Sequence, residues 1–525
     1  LRSSVPFFIL YLSWIVNLRL YIGLMDPLMS TLILAAVILF VYRYLWKRSS
    51  YFEELGIPHE RSIPILGNMA PIVFYRIFAG EHFHRAYNRF KHSKYFGFHN
   101  FTTPVIIVRD PDLISSIAIK NFDNFTDHRG FVDGDLDPLM GKNLFALCGD
   151  RWREMRKILS PTFTSAKMKT MYKLIAECAD RFTEHITMES KGEKVYDMKD
   201  AIGRYATDVI ATTNFGIAVD SMKDRENEFF VFAKETLNFS PSRTIKMLMG
   251  RNFPTLSRLF RIRIFSNAAH RYFTRVIGEA VRTRKEKSSD SNGNELTIDE
   301  MTIHAFIFFL AGFDTSSRLL CFVVHMLALN PDVQAKLRAE IDEVARKANG
   351  QPTYDAIKDM AYMDAVLNET NRLFPAAGFL DRVCVKEFEL PPATPDSKPC
   401  TIKPGAVVWF LPFSMHRDPD YFPDPEKFDP SRFIGKEAPP NVYIPFGLGP
   451  RICIGNRFAL MESKIALYYL LLRCELEPCA KTTNPMRFDK SNFLITPETG
   501  FWLKIKARKT APVSRANGVV TQKAF

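Results

Sequence analysis

The segment Pro445-Phe446-Gly447-Leu448-Gly449-Pro450-Arg451-Ile452-Cys453-Ile454-Gly455 constrains this chain more than any other. Its spacing, F-x-x-G-x-R-x-C-x-G, frames one cysteine with groups that suit a metal-binding thiolate. Gly449 permits a tight turn, amides near a helix start can donate to sulfur, and Gly455 lets the next helix approach a flat ligand. Such surroundings favour a low thiol pKa. A lone intracellular cysteine is ordinarily a small buried hydrophobe, so the assignment rests on the neighbours. Cys148, Cys178, Cys321, Cys384, Cys400, Cys474 and Cys479 are scattered without a CxxC pair, which suits a reducing compartment.

Three other segments bear on the same chemistry. Glu369-Thr370-Asn371-Arg372 gives E-x-x-R, by itself a weak signal because i, i+3 ion pairs are common on helices. Ala311-Gly312-Phe313-Asp314-Thr315-Ser316 lies in a long apolar run. A helical threonine ordinarily bonds back to a carbonyl one turn earlier, but here it stands beside a glycine and an acid. Trp152-Arg153-Glu154-Met155-Arg156 places an indole and a guanidinium on one helix face, and both groups suit carboxylates.

Together these segments resemble the cytochrome P450 family, from Gly56-Ile57-Pro58 to near Trp502. Leu159-Ser160-Pro161-Thr162-Phe163-Thr164-Ser165 and Phe308-Phe309-Leu310-Ala311-Gly312-Phe313-Asp314-Thr315 are similar to the animal microsomal clan, insect detoxification members especially. The resemblance implies a mostly α fold with a smaller β region, haem b (iron protoporphyrin IX) between two helices, and Cys453 as the iron ligand. Phe446, Gly449, Arg451 and Gly455 would complete the cysteine loop. Trp152, Arg156, Arg451 and, less securely aligned, Arg382 would meet the haem carboxylates. His128 falls where relatives often carry arginine; it is either a further contact or a solvent-facing loop residue. Glu369, Arg372 and Arg432 would form a buried network that fixes the cysteine loop, tolerable only if all three pair. Gly312 and Ala311 would leave room for dioxygen, while Thr315 and Asp314 would help deliver protons during its activation. Ile307, Leu310, Ala311, Ala377 and Phe379 would form an apolar substrate wall.

The implied reaction is monooxygenation, using O2 and electrons from NADPH through a separate NADPH-cytochrome P450 reductase, with cytochrome b5 as a further donor. No P-loop or Rossmann-type glycine fingerprint occurs to bind nucleotide within the chain. Reductase docking is expected on basic residues near Arg151, Arg153, Lys157, Lys167 and Lys169. A haem-thiolate isomerase or dehydratase is a rival, as is a catalytically impaired haem-binding protein. Asp314-Thr315 weighs against the first. An apolar wall offers no partner for a charged substrate, and with 45 phenylalanines the chain suits neutral lipophilic molecules such as xenobiotics.

A net charge of +13 fits nucleic acid, anionic lipid or an acidic protein. No arginine-rich arm, zinc-finger spacing or RNA-binding motif accompanies it, which argues against nucleic acid. The lipid bilayer is favoured by an uncharged run from Pro27 to Tyr42, followed by Arg43, Lys47 and Arg48. Segment 27–46 reads as a transmembrane anchor of about 20 residues, with basic residues after it placing the catalytic domain on the cytosolic face of the endoplasmic reticulum membrane. Residues 1–24 read as a leader or extraneous extension if Met25 is the start, and as half of a hairpin anchor otherwise; a cleaved signal peptide is a third reading. Phe253 to Phe265 is either an amphipathic surface segment or a second membrane contact.

The expected organisation beyond the anchor is a proline-containing hinge (47–68), a catalytic domain (69–506) and a tail (507–525). Apolar spacing predicts helices over Trp152–Leu159, Met168–Ile186, Met301–Leu329, Val333–Val344, Asp359–Leu373 and Asn456–Cys474. Strands are expected at Thr103–Val108, Ala406–Phe410 and Gly500–Ile505. The polar run between Lys285 and Leu296 reads as a linker, where relatives usually place a short helix.

Overall fold

The architecture comes from a computed structural model. It describes residues 50–508 apart from 131, 133, 190–192, 238–240, 266, 288–295, 436 and 493, together with residues 28, 29, 31–33, 35, 36 and 39. That last group is helical and exposed. The rest of segments 1–24 and 27–46, most of the 285–296 linker, and the tail beyond Arg508 lie outside the described residues.

All six expected helices form. They run Gly149–Leu159, Ser165–Glu189, Ile298–Leu329, Pro331–Lys347, Ala361–Leu373 and Asn456–Arg473. Boundaries move for local reasons. Met360 is extended, so its helix begins after Asp359, and Cys474 is extended and opens a strand. The helix Asn267–Lys287 carries the chain three residues into the expected linker. Ile298–Leu329 opens on a capping box: the Thr297 hydroxyl accepts from Glu300 N–H while the Glu300 carboxylate accepts from Thr297 N–H. Among the described residues it is the one helix long and apolar enough to cross a membrane, yet most of it is buried in protein. It is the central beam of the core.

Strands β1 (Tyr95–Asn100), β2 (Thr103–Val108), β3 (Glu193–Asp197), β4 (Leu380–Val383), β5 (Phe388–Leu390), β6 (Cys400–Ile402), β7 (Val407–Phe410), β8 (Cys474–Pro478) and β9 (Trp502–Ala507) make three small sheets. The largest has order β1-β2-β7-β4, with β2 and β7 parallel and the other pairs antiparallel. The second is β3-β9-β8, and the third pairs β5 with β6. Strand β3 follows the expected helix Met168–Ile186 with no sequence expectation of its own, because Tyr196 and Asp197 pair with Leu503 and Trp502 far along the chain. Ala507 belongs to β9 and not to a loose tail.

The expected hinge is corrected from residue 51 onward. Phe52 and Ile57 are buried, and bridges join His59 to Gly97 and Gly67 to Asn100. Asn68 Oδ1 accepts from His99 N–H at 2.7 Å. The segment is thus packed against the first sheet.

Candidate active site

The cysteine loop is held by its own backbone. Cys453 N–H donates to Phe446 O and Ile452 N–H to Gly449 O, both at 2.9 Å. Gly449 has φ +69°, and a β-carbon there would lie 2.0 Å from Ala118 O. Only glycine satisfies both demands. Cys453 is exposed toward a cavity of about 390 Å³, a normal size for a ligand site. The low thiol pKa expected from sequence is corrected: burial pushes the thiol up, opposed by the Gly455 amide and the Arg156 guanidinium. Phe446, Ile452 and Ile454 line the cavity around it, and apolar surroundings disfavour a bare thiolate. A coordinated cation reverses that balance.

From the central helix the cavity receives Ile307, Phe308, Ala311, Gly312, Thr315 and Ser316, on rows three and four residues apart. The Thr315 hydroxyl donates to Ala311 O at 2.7 Å. Gly312 lets the helix approach its neighbour, since a β-carbon there would sit 3.1 Å from Ile210 Cδ1. Ala377, Leu380 and Ile495 add apolar surface. Two expected wall residues are elsewhere. Leu310 is buried among the side chains between the central helix and its neighbours Met198–Ile210 and Asn267–Lys287. Phe379 is stacked on Trp409 with centroids 4.2 Å apart, under the first sheet. Asp314, one turn beyond Leu310, also stays off the cavity wall and pairs with Arg318 at 2.9 Å.

The polar edge of the cavity collects Arg156, Arg382, Arg451, His128 and Trp152. The guanidiniums bond mainly to carbonyls: Arg156 to Ile452 O, Arg382 to Asp381 O and Leu448 O, Arg451 to Thr126 O and Leu147 O. Arg382 Nε is buried with no partner among the described residues. Burial pushes Arg382 down to about 10 and Arg451 down to about 9, so both remain cationic at neutral pH. Arg451 also lies 4.0 Å over the Trp152 ring. His128 is buried, stacked on Phe145, and hydrogen-bonded through Nδ1 to Asp381 Oδ1 at 2.9 Å, so it is not a solvent-facing loop residue. Three cations facing one apolar cavity with an inward thiol fit a flat, metal-centred ligand bearing two carboxylates, and haem is such a ligand.

Behind the loop, Arg372 forks onto Glu369 at 2.7 and 2.8 Å with both side chains fully buried. Arg432 Nε stands 3.5 Å from the same carboxylate, and Asp429 N–H donates to it at 2.8 Å. The resemblance implies that this network fixes the loop, but sequence reasoning missed His416, through which it reaches the loop. Arg372 Nη1 donates to His416 O, and His416 Nε2 accepts from Ile444 N–H at 3.0 Å, just before Pro445. It also missed Asp381, which accepts from His128, from the Arg129 amide and from Arg251 Nη2 at 2.9 Å. The dipeptide Asp381-Arg382 before a β-branched residue was the available signal; His416 had none.

Comparison with known proteins agrees with this geometry. The family profile described as Cytochrome P450 matches residues 57–504. The chain is 39% identical to cytochrome P450 9e2 of Blattella germanica, over 91% of this chain and 98% of that one. It is 35% identical to probable cytochrome P450 9f2 of Drosophila melanogaster, covering 89% and 97%. Probable cytochrome P450 6a18 of the same fly is 34% identical, covering 90% and 97%.

Proposed function

Because the chain belongs to the cytochrome P450 family and is a monooxygenase of the oxidoreductase class, we propose that it hydroxylates neutral lipophilic molecules, xenobiotics foremost. One atom of O2 enters the substrate and the other leaves as water, with two electrons from NADPH delivered by a separate NADPH-cytochrome P450 reductase. The observation that carries this reading is the convergence of Cys453, Thr315 and three guanidiniums on one largely apolar cavity.

The residues divide the work. Cys453 Sγ would hold the iron, and Arg156, Arg382, Arg451, His128 and Trp152 would hold the two haem carboxylates. When bound, the haem supplies dioxygen activation, with the thiolate pushing electron density that favours O–O cleavage. Thr315 Oγ1 keeps a proton at the cavity wall, now spent on Ala311 O. Asp314 exchanges protons from behind that wall. Ile307, Phe308, Ala311, Ala377 and Ile495 exclude water and orient an apolar substrate by shape; Arg318, which also lines the cavity, is already paired with Asp314, so this wall disfavours charged substrates.

The proposed site in the cell is the cytosolic face of the endoplasmic reticulum membrane. Support comes from exposed Leu28, Met29, Leu32, Ile33 and Leu39 in the anchor, and from Leu259 and Phe260, exposed by 73% and 67% between Arg258 and Arg261. Reductase docking shifts in emphasis. Arg151, Arg153 and Lys169 are engaged by Glu154 and Glu300, by Asp150 and Asp123, and by Asp355, so Lys157 and Lys167 carry more of the attraction. Cytochrome b5 would use the same basic surface.

The test reads ligand and turnover together. Reduced wild-type protein under carbon monoxide should show the thiolate-type red-shifted Soret band, and Cys453→His should lose it; an unchanged band overturns the ligand assignment. NADPH consumption with purified reductase and a lipophilic substrate supports the monooxygenase; peroxide rearrangement without reductase would instead mark an isomerase.

A further inference from the structure

Asp314 stands off the cavity wall, yet it is wired to it. Arg318, one turn on, donates from Nε to Asp314 Oδ2 at 2.9 Å. Its Nη1 donates to Ile495 O at 3.1 Å and to Thr496 Oγ1 at 2.5 Å. Thr496 Oγ1 donates onward to Leu494 O at 3.2 Å, so its lone pair is directed at the guanidinium. Arg318 and Ile495 both line the cavity. The Asp314 side chain keeps 13% exposure, enough to exchange protons with solvent. Lys199, from the neighbouring helix Met198–Ile210, is a further cation near this pair, and burial lowers its pKa.

A guanidinium is a rigid planar fork, so it cannot follow a shift of one partner without changing its grip on the other. The loop at 494–496 presents Ile495 to the cavity on one side and holds Arg318 on the other. We propose that Arg318 is a positioning residue that couples this loop to the Asp314 carboxylate, so that an apolar substrate packed on Ile495 sets the acid's orientation. Proton supply is thereby tied to substrate occupancy, so that reducing equivalents go to product and not to peroxide when an apolar substrate fills the cavity. The inference rests on the monooxygenase reading and on the cavity being the substrate site.

The coupling is reciprocal, so it can be read from the loop without turnover. Amide hydrogen exchange at residues 494–496 and 498 is measured on holoenzyme carrying Asp314→Asn, Thr496→Val or both. Asp314→Asn should speed exchange at these amides about tenfold, and Thr496→Val should add little to it, the non-additivity expected of groups sharing one partner. Arg318→Lys, which keeps the charge but loses the fork, should reproduce the effect while the carbon monoxide band is retained. With reductase present and 7-ethoxycoumarin as neutral probe, the same variants should release more peroxide per NADPH consumed. Additive effects, or faster exchange spread evenly over the domain, overturn the proposal and leave Arg318 as packing. A wild type that consumes no NADPH with reductase sinks the monooxygenase reading instead, and leaves the exchange result to stand separately.

Discussion

Arg372 and His416 hold one another in both directions: Arg372 Nη1 donates to His416 O at 2.8 Å, and His416 Nδ1–H donates to Arg372 O at 3.2 Å. The tautomer follows from Nε2, which accepts from Ile444 N–H. Burial pushes His416 down to about 3, so the ring stays neutral across physiological pH and this acceptor is always available. The E-x-x-R arginine thereby reaches the cysteine loop through a neutral histidine.

Removing one member strands a buried charge. Arg372→Ala should destabilise the fold by about 3–5 kcal/mol, the usual cost of leaving a buried carboxylate without its partner. Denaturant unfolding and haem content after expression check it; stability within error of wild type would mean that Glu369 finds another cation.

Glu462 offers a pH signature. It is fully buried, and burial pushes its carboxyl up from 4.5 to about 8, opposed by the nearby Ser316 hydroxyl. A raised folded pKa means that the native state binds more protons than the unfolded chain between those values. Its contribution to stability is therefore complete below pH 4.5 and is lost as pH rises through about 8. The loss amounts to about 5 kcal/mol at the extreme. Glu462→Gln, which cannot ionise, should flatten the fall in stability between pH 4.5 and about pH 8. Parallel curves for the two proteins would show that Glu462 does not titrate there.

Asp381 joins the cavity edge to the helix Pro241–Asn252, since it holds His128 and Arg251 together. His128 and Arg251 keep its carboxyl well below the usual range, so it is charged at any working pH. Asp381→Asn should weaken both contacts and loosen that helix. The expected reading is faster proteolysis within residues 241–252 and lower haem retention, with Arg251→Met reproducing the proteolysis. Unchanged cleavage in both variants would mean that packing alone seats the helix.

The cavity wall separates two neighbours in sequence. Ala311→Leu adds bulk where ligand would lie and should weaken spectral binding of large lipophilic compounds. Leu310→Phe overpacks a buried site and should cost about 1–3 kcal/mol of stability, with ligand spectra near wild type. Equal effects of both on ligand affinity would refute the assignment of the two faces.

The cysteine frame, the central helix and the E-x-x-R pair were legible because their chemistry is local. Turn glycines, capping residues and i, i+3 or i, i+4 spacing act within a few residues of themselves. Arg156, Arg382 and Arg451 were singled out by the resemblance to the family, and a planar fork that suits carboxylates agreed with it. The sequence did not reveal which way Leu310 and Asp314 turn, because apolar runs occupy every face of a buried helix and periodicity then loses its direction; Phe379 lies in the loop before β4, where no period applies. Nor could it show that His416, Asp381 and Thr496 complete the site. Each acts on a partner tens to hundreds of residues away, and only the packing of helix on sheet brings those partners within hydrogen-bond distance.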